Sequence, residues 1–165
     1  MEDIIISNFY KEDWEEIKAI YKEGLETGYS TLETTIPTWR KWNEELIKEC
    51  RLAARRSNEI LGWAALTKFS TRKVYSGVAD VRIYIKKSAR GAGLGTKLLG
   101  ALIKESEKQG YWTLQSKIFV KNKASIKLHK KCGFKKVGIR EAYGRRNGKW
   151  QNILLMEKRS EVVGI

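Results

Sequence analysis

A mixed α/β sandwich is the fold class that the sequence predicts, and three observations carry it. Val81, Ile83 and Ile85 alternate with Asp80, Arg82 and Tyr84 at the period of two that marks a strand with two different faces. That strand runs through Lys86 and Lys87 into Arg90-Gly-Ala-Gly-Leu-Gly-Thr96, after which Leu98, Leu99, Leu102 and Ile103 recur with Leu94 at helical spacing. Over the whole chain the periodicities read β-α-α-β-β-β-α-β-α-β-β, strands and helices interleaved around one core. With 165 residues, 42% of them apolar and 32% charged, residues 1–157 are expected to form one compact domain and residues 158–165 a loose tail.

Residues 3–8 read as the first strand on the β-branched Ile4, Ile5 and Ile6. Asp13-Trp-Glu-Glu16 opens an amphipathic helix through Trp14, Ile17, Ile20 and Tyr21 that should end near Gly24 or Gly28. A polar connection over residues 29–36 leads to Pro37, and Thr38 is the expected cap of a second helix carrying Trp39, Trp42, Leu46 and Ile47. Leu52 to Arg56 and Ile60 to Phe69 flank Ser57-Asn58-Glu59 and read as a hairpin whose second strand leads to the central one. Beyond the glycine-loop helix, Gly110 is a cap, Trp112 to Val120 a fifth strand, and Asn122 to Cys132 a short helix closed by Gly133. Phe134 to Tyr143 and Trp150 to Met156 form a last antiparallel pair around Arg145-Arg-Asn-Gly148, where Asn147-Gly148 is a hairpin signal. Trp39, Trp42 and Trp63 are read as core residues.

Composition narrows the function classes. No run of about 18 apolar residues is present, and Met1-Glu-Asp-Ile lacks the basic start of a signal peptide, so a cytoplasmic protein without membrane contact is expected. Two cysteines, Cys50 and Cys132, and one histidine are too few for a disulfide framework or a metal cluster, so free thiols and no metal are expected. The net charge of +14 invites a nucleic-acid reading. The lysines are scattered over every predicted helix, however, which describes a solvated basic surface; a basic nucleic-acid-binding module stands as the alternative of a different class.

The glycine-rich turn is where chemistry enters. Free backbone N–H groups and the positive end of a helix dipole point out of such a turn, so a pyrophosphate can dock there, with Arg90 adding a full charge. Gly95-Thr96-Lys97 has the wrong order for a P-loop. Gly91, Gly93 and Gly95 have the wrong spacing for a dinucleotide fingerprint, and no acid stands between Trp112 and Phe119.

Arg90, Gly93 and Gly95 do match a third pattern, and the loop resembles the acetyl-coenzyme A (acetyl-CoA) loop of the GNAT superfamily of N-acetyltransferases. Asn122-Lys-Ala-Ser-Ile-Lys-Leu-His-Lys-Lys-Cys-Gly-Phe134 is similar to that superfamily's second coenzyme-binding motif. Gly24-Leu-Glu-Thr-Gly28, Thr38-Trp-x-x-Trp42, Gly62-Trp-Ala-Ala65 and Ala124-Ser-Ile-Lys-Leu-His129 resemble its phosphinothricin N-acetyltransferase branch, and the resemblance spans nearly the whole chain. It implies a GNAT fold: a central mixed sheet of six to seven strands flanked by about four helices, with splayed central strands holding acetyl-CoA. It also implies a homodimer and direct transfer of acetyl to the α-amino group of a small anionic amino acid analogue, of the phosphinothricin or methionine sulfoximine type. Acetylation of a protein N-terminus or lysine is the alternative within enzymes.

The resemblance also assigns roles. Backbone N–H groups of Ile83 and Ile85 would hold the acetyl oxygen and the pantetheine arm, a preorganised oxyanion site. Arg90, Gly91, Gly93, Gly95 and Thr96 would cradle the pyrophosphate, and the Asn122 amide would meet the pantetheine, although an Asn at a helix start is also a plain cap. Asp80 stands where the branch has Glu and would accept the ammonium proton, through a water because Asp is one methylene shorter; the other reading is a strand-face salt bridge, with Arg82 as partner. His129 occupies the place of the residue that protonates the departing thiolate, or is a packing residue at the end of a short helix. Arg72 matches one of two arginines in the branch's Phe-Arg-x-Arg-x-Ala-Tyr loop, Ser70 replacing the other. Arg72 and Arg82 would favour a substrate anion and Glu33 its ammonium, while Glu33 as a solvated loop residue is equally open.

Overall fold

The structure, a computed structural model, describes residues 3–165; Met1 and Glu2, on which part of the N-terminal reading rests, lie outside the described residues. The chain opens with β1 (Ile5–Asn8) and α1 (Trp14–Thr27), which buries Ile17, Ile20, Tyr21 and Leu25. Gly28, at φ 79°, closes this helix in the left-handed conformation that glycine adopts without strain. Gly24 lies inside the helix for a different reason: a Cβ there would stand 2.6 Å from the Tyr84 ring.

Thr38 caps α2 (Trp39–Glu45) as expected, its hydroxyl accepting from the Lys41 N–H at 3.3 Å. The helix is shorter than its apolar spacing implies: Leu46 and Ile47 open β2 (Leu46–Arg56) instead of completing a turn. Buried Arg51 supplies the reason. Its guanidinium donates to Asn43 Oδ1 at 2.7 Å and to the carbonyls of Asn43 and Leu46 at 2.8 Å, satisfying the helix end from the strand side. β2 therefore begins six residues before Leu52, and a register shift between Leu46 and Arg51 absorbs the bend.

β3 (Glu59–Lys68) and β4 (Val78–Ile85) follow, then α3 (Leu94–Lys108), β5 (Thr113–Phe119) and α4 (Lys123–Lys131). The last pair, β6 (Lys135–Arg146) and β7 (Lys149–Arg159), is longer at both strands than the sequence reading. Asn147 and Gly148, at φ 48° and 77°, make the two-residue turn whose twist suits a hairpin. Lys158 and Arg159 belong to β7, and the Arg159 guanidinium holds the carbonyls of Val163 and Gly164, both at 2.7 Å.

All seven strands form one sheet in the order β1-β2-β3-β4-β5-β7-β6, antiparallel except between β4 and β5. β3 separates two cores, its alternation shifted once by the irregularity at Leu61: Leu61, Ala64 and Leu66 pack with Leu98, Leu99 and Leu102 of α3, while Ile60, Trp63 and Ala65 pack with α1 and Trp42. Trp42 and Trp63 are fully buried, with ring centroids 4.9 Å apart, so the tryptophans are core as expected.

The parallel pair decides the function. β4 and β5 share a register only from Val78↔Thr113 to Asp80↔Gln115; beyond Asp80 the two strands part. The β6–β7 hairpin spans the resulting gap and reaches α1, where Arg146 Nη2 donates to the Leu25 carbonyl at 2.8 Å. A bulge between Arg140 and Gly144 sets the course of the hairpin; Ala142 takes φ 47° and its N–H bonds Asn152 Oδ1 at 2.9 Å.

Gly24→Ala tests how tightly α1 is seated on β4. The added methyl group collides with the Tyr84 ring, so the variant should lose about 1–3 kcal/mol in urea denaturation, whereas a surface Ala substitution in the same helix should be neutral.

Candidate active site

Where β4 and β5 part, a cleft of about 710 Å³ opens between the two halves of the sheet. Lys86 N–H donates to the Leu61 carbonyl at 2.8 Å, so the even-numbered residues of β4 turn their backbone groups toward β3. Ile83 and Ile85 consequently turn theirs toward the gap, where β5 has moved away. The Ile85 carbonyl accepts from Arg90 Nε at 3.0 Å, which fixes the start of the loop against the strand. The Ile83 and Ile85 side chains, partly buried, pack against the α3 core, and both residues line the cleft.

The loop then delivers a helix end. Gly91 and Gly93 both sit at φ 81°, a conformation costly for any side chain. Gly93 is the N-cap of α3 and offers no side-chain acceptor, and the first helical bond runs from Lys97 N–H to the Gly93 carbonyl. The N–H groups of Leu94, Gly95 and Thr96 are therefore left for a ligand, at the positive end of a 15-residue helix. At Gly95 a Cβ would meet the Leu128 side chain at 3.1 Å, so the glycine also seats α4 against α3. Asn122 caps α4 through Oδ1, which accepts from the Ser125 N–H at 3.2 Å and leaves Nδ2 free of that bond. Arg90, Gly91, Gly93, Gly95, Thr96 and Asn122 all line the cleft, and Lys127 and Lys131 of α4 join them, a cationic contribution that the sequence reading did not assign.

Asp80 stands at the fork. Its Oδ1 accepts from Gln115 Nε2 at 2.5 Å, and its Oδ2 lies 3.7 Å from Lys117 Nζ. The partner expected for it, Arg82, is engaged elsewhere: Arg82 Nη1 is 3.5 Å from Glu45 Oε2. Residues two apart on a strand are farther from each other than from the facing residue of the next strand, and Gln115 faces Asp80 directly. Alternation puts Asp80, Arg82, Tyr84, Gln115 and Lys117 on the sheet face opposite α3, where Tyr21, Thr31, Glu33 and Tyr143 close the cleft. Burial pushes the Tyr21 and Tyr84 phenols above their ordinary range, so both remain neutral hydrogen-bond donors.

His129 is buried, 1% exposed, and its ring packs edge-on to Phe134 at 5.0 Å. Nδ1 lies 2.7 Å from the Ser125 carbonyl, which can only accept, so the proton sits on Nδ1 and Nε2 carries a lone pair. Nε2 is buried without a protein partner. Burial lowers the pKa of this ring below 6.5, against the pull of the Ser125 bond. His129 also lines the cleft; as a proton donor it would need a second proton that its surroundings oppose. Arg72 is not brought into the cleft: it lies on the exposed β3–β4 loop with its guanidinium 5.4 Å from the Tyr75 ring centre. Glu33 lines the cleft on an exposed loop, its backbone N–H held by Thr31 Oγ1 at 3.1 Å.

The buried neutral histidine has a pH signature. Its folded pKa lies below the unfolded value near 6.5, so below that pH the unfolded chain binds the proton that the folded chain refuses. Stability is lost as pH falls from about 6.5 toward the folded pKa. Thermal midpoints measured between pH 8 and 5 should therefore fall more for the wild type than for His129→Gln; parallel curves would contradict a buried neutral ring.

No group of His, Cys, Asp and Glu among the described residues has metal-binding geometry, and no helix there is long and apolar enough to cross a membrane. Residues 14–134 match the model of the acetyltransferase (GNAT) family. The chain is 31% identical over 106 residues to the L-methionine sulfoximine/L-methionine sulfone acetyltransferase of Pseudomonas aeruginosa; the match spans 64% of this chain and 62% of that protein, less than two thirds of its length. It is 29% identical over 153 residues to the phosphinothricin N-acetyltransferase of Alcaligenes faecalis, covering 89% of this chain and 78% of that one. Among solved structures, an N-acetyltransferase from Staphylococcus aureus Mu50 superposes with a TM-score of 0.84 at 29% identity, covering 95% of this chain and 98% of the other. A GNAT superfamily phosphinothricin acetyltransferase from Sinorhizobium meliloti, solved in complex with acetyl-CoA, shares the fold at a TM-score of 0.82 and 24% identity, over 98% of this chain and 95% of that one. Split sheet, glycine-started helix and family match agree, and the chain belongs to the acetyltransferase (GNAT) family.

Proposed function

We propose that this protein is an acetyl-CoA-dependent N-acetyltransferase acting on the α-amino group of a small anionic amino acid analogue, of the phosphinothricin or methionine sulfoximine type. The observation that carries the reading is the fork itself: a carboxylate, Asp80, at the point where two parallel strands part beside outward-facing backbone of Ile83 and Ile85. Relatives named for those substrates, at 29–31% identity, support the substrate class.

The residues present fit the coenzyme. Unbonded N–H groups at Leu94, Gly95 and Thr96, with Arg90, suit a pyrophosphate, and Asn122 Nδ2 and the Ile85 N–H suit the amide groups of a pantetheine arm. Acetyl-CoA supplies the activated carbonyl, and the Ile83 N–H is the donor for its oxygen. Asp80 takes the proton that an arriving ammonium must lose, Gln115 holding the carboxylate in place. The amine nitrogen would then bond the acetyl carbon, the carbon–sulfur bond would break, and the nitrogen would release its surplus proton to water while the thiolate takes one up, leaving amide and thiol. His129 contributes packing beneath this site in the form described, and Glu33 and Arg82 line the acceptor side. Neither cysteine takes part, since Cys50 is buried with its thiol pushed up to about 12 and Cys132 points its sulfur at the Thr96 carbonyl, 3.8 Å away. The same reading takes the chain as a homodimer of one catalytic domain in the cytoplasm. A second reading, acetylation of a protein N-terminus, draws on one neighbour, the ribosomal-protein-alanine N-acetyltransferase of Brucella melitensis, at a TM-score of 0.87 and 26% identity over 94% of this chain and 99% of that one.

Release of free thiol from acetyl-CoA, measured against amino acids, their sulfoximine and phosphinate analogues, and peptides, separates the readings. Turnover of small amino acid analogues is expected. Turnover confined to peptides would select the second reading, and no turnover with any amine would overturn both.

Asp80→Asn keeps the shape of the fork and removes the proton acceptor. Turnover should fall about 10²-fold or more at neutral pH and recover in part at high pH, where free amine is abundant. Acetyl-CoA affinity by calorimetry should be unchanged; wild-type rates across the pH range would reduce Asp80 to a structural ion pair.

A further inference from the structure

We propose that Lys117 is the anion-binding residue of the acceptor site, and that an α-amino acid docks as a zwitterion between Lys117 and Asp80. The inference rests on the function proposed above and names the residue that would give it its preference for acids. Three observations converge on it.

First, of the cations expected to serve, one lies outside the cleft and the other faces a carboxylate other than Asp80. Arg72 lies on an exposed loop outside the cleft and stacks on Tyr75, and the Arg82 guanidinium faces the Glu45 carboxylate. Lys127 and Lys131 stand on α4, beside the helix end that suits phosphates. Among the described residues that line the cleft, the remaining cation on the acceptor face is Lys117.

Second, its position follows from the split. The β4–β5 register ends at Asp80↔Gln115, and Lys117 is the next residue of β5 on that same face, the first to project where the strands have parted. Its backbone is held on the other side by β7, where it pairs with Leu155, so the side chain is carried on a rigid strand.

Third, its ion pair is loose. Nζ stands 3.7 Å from Asp80 Oδ2, beyond the 2.7–2.9 Å of a charge-assisted hydrogen bond. Asp80 has its firm contact with Gln115 on the other oxygen. Lys117 is 42% exposed and Asp80 21%, so a ligand can reach both.

A protein ammonium beside a protein carboxylate is the complement of an α-amino acid, which carries the same two charges one carbon apart. Inserted head to tail, the substrate carboxylate meets Lys117 and the substrate ammonium meets Asp80. The second contact is the one needed for proton removal, so the geometry that recognises the acid also delivers the amine to its base. An amide or a peptide can make only the Asp80 contact.

The test compares specificity constants, kcat/KM, for L-methionine sulfone and its carboxamide, and for the best acceptor of the panel and its carboxamide, at saturating acetyl-CoA. In the wild type the acid should be preferred about 10- to 100-fold, the range of a charge-assisted contact. Lys117→Met should bring the ratio close to one by lowering the value for the acid, while the amide changes by less than about threefold. Lys117→Arg should restore part of the preference, and Arg72→Ala should retain all of it. Lys117→Gln is the second neutral variant, and unchanged acetyl-CoA affinity by calorimetry shows that each variant is folded. Acid preference that survives in both neutral variants, or that is lost in Arg72→Ala, would overturn the role of Lys117 while leaving the proposed function standing. Equal constants for acid and amide in the wild type would overturn it too. Absence of turnover with any amine defeats the proposed function instead; titration of the acid and the amide into acetyl-CoA-loaded protein then decides Lys117 by binding alone, equal affinities counting against it.

Discussion

The structure depends on a hydrogen-bond ladder that stops. β4 and β5 pair in parallel over three residues, Val78 to Asp80, and then leave each other, so a strand in the middle of a seven-stranded sheet has one side without a neighbour. Backbone donors and acceptors in such a place must find partners, in water or in a ligand. A β-bulge or a covering helix would have healed the opening in an ordinary sheet. Here the walls are kept apart by good packing on both faces: α3 fills one side with leucines, and the aromatic group around Trp42 and Trp63 fills the other. The opening persists with both faces of the sheet packed, the α3 core on one and the aromatic core on the other.

That division also sorts the chemistry. Below the sheet, on the α3 side, the cleft offers main-chain N–H groups and a helix end, groups that bind phosphates and amides without regard to what is being acetylated. Above it, side chains from five separate segments converge, with acids, bases and neutral phenols within one small space. Coenzyme recognition is thus written in backbone geometry and acceptor recognition in side chains, which is why a family can keep the first and vary the second.

The sequence carried the fold and the coenzyme side because their causes are local. Period-two alternation in β4, the glycines after it and the leucines of α3 are each readable within a dozen residues, and Asn122 as a cap needs only the residue types around it. The end of α2 was not legible, because it is set by Arg51, a strand residue that reaches back to the helix carbonyls. Asp80 was found by its place on the strand, but its partners came from β5, and nothing in the spacing of Gln115 and Lys117 announces that they will face it. Arg72 shows the converse: a local match to a loop pattern says nothing of where the loop sits, and here the guanidinium lies over the Tyr75 ring on an exposed loop. For His129 both a proton donor and a packing residue were open, since the depth of a short helix depends on Phe134 and the strands behind it.

The hydrogen bond from Arg146 to the Leu25 carbonyl joins residues 121 positions apart. Loops that long close late, after local pairings have formed, because their entropy must be spent before the contact returns anything. The coenzyme side, by contrast, is assembled from one continuous run between Val78 and Phe134. The two sides of the cleft therefore differ in the sequence distance they must bridge: the residues of the cradle come from one run of the chain, while the acceptor side needs the chain's end to return to its beginning.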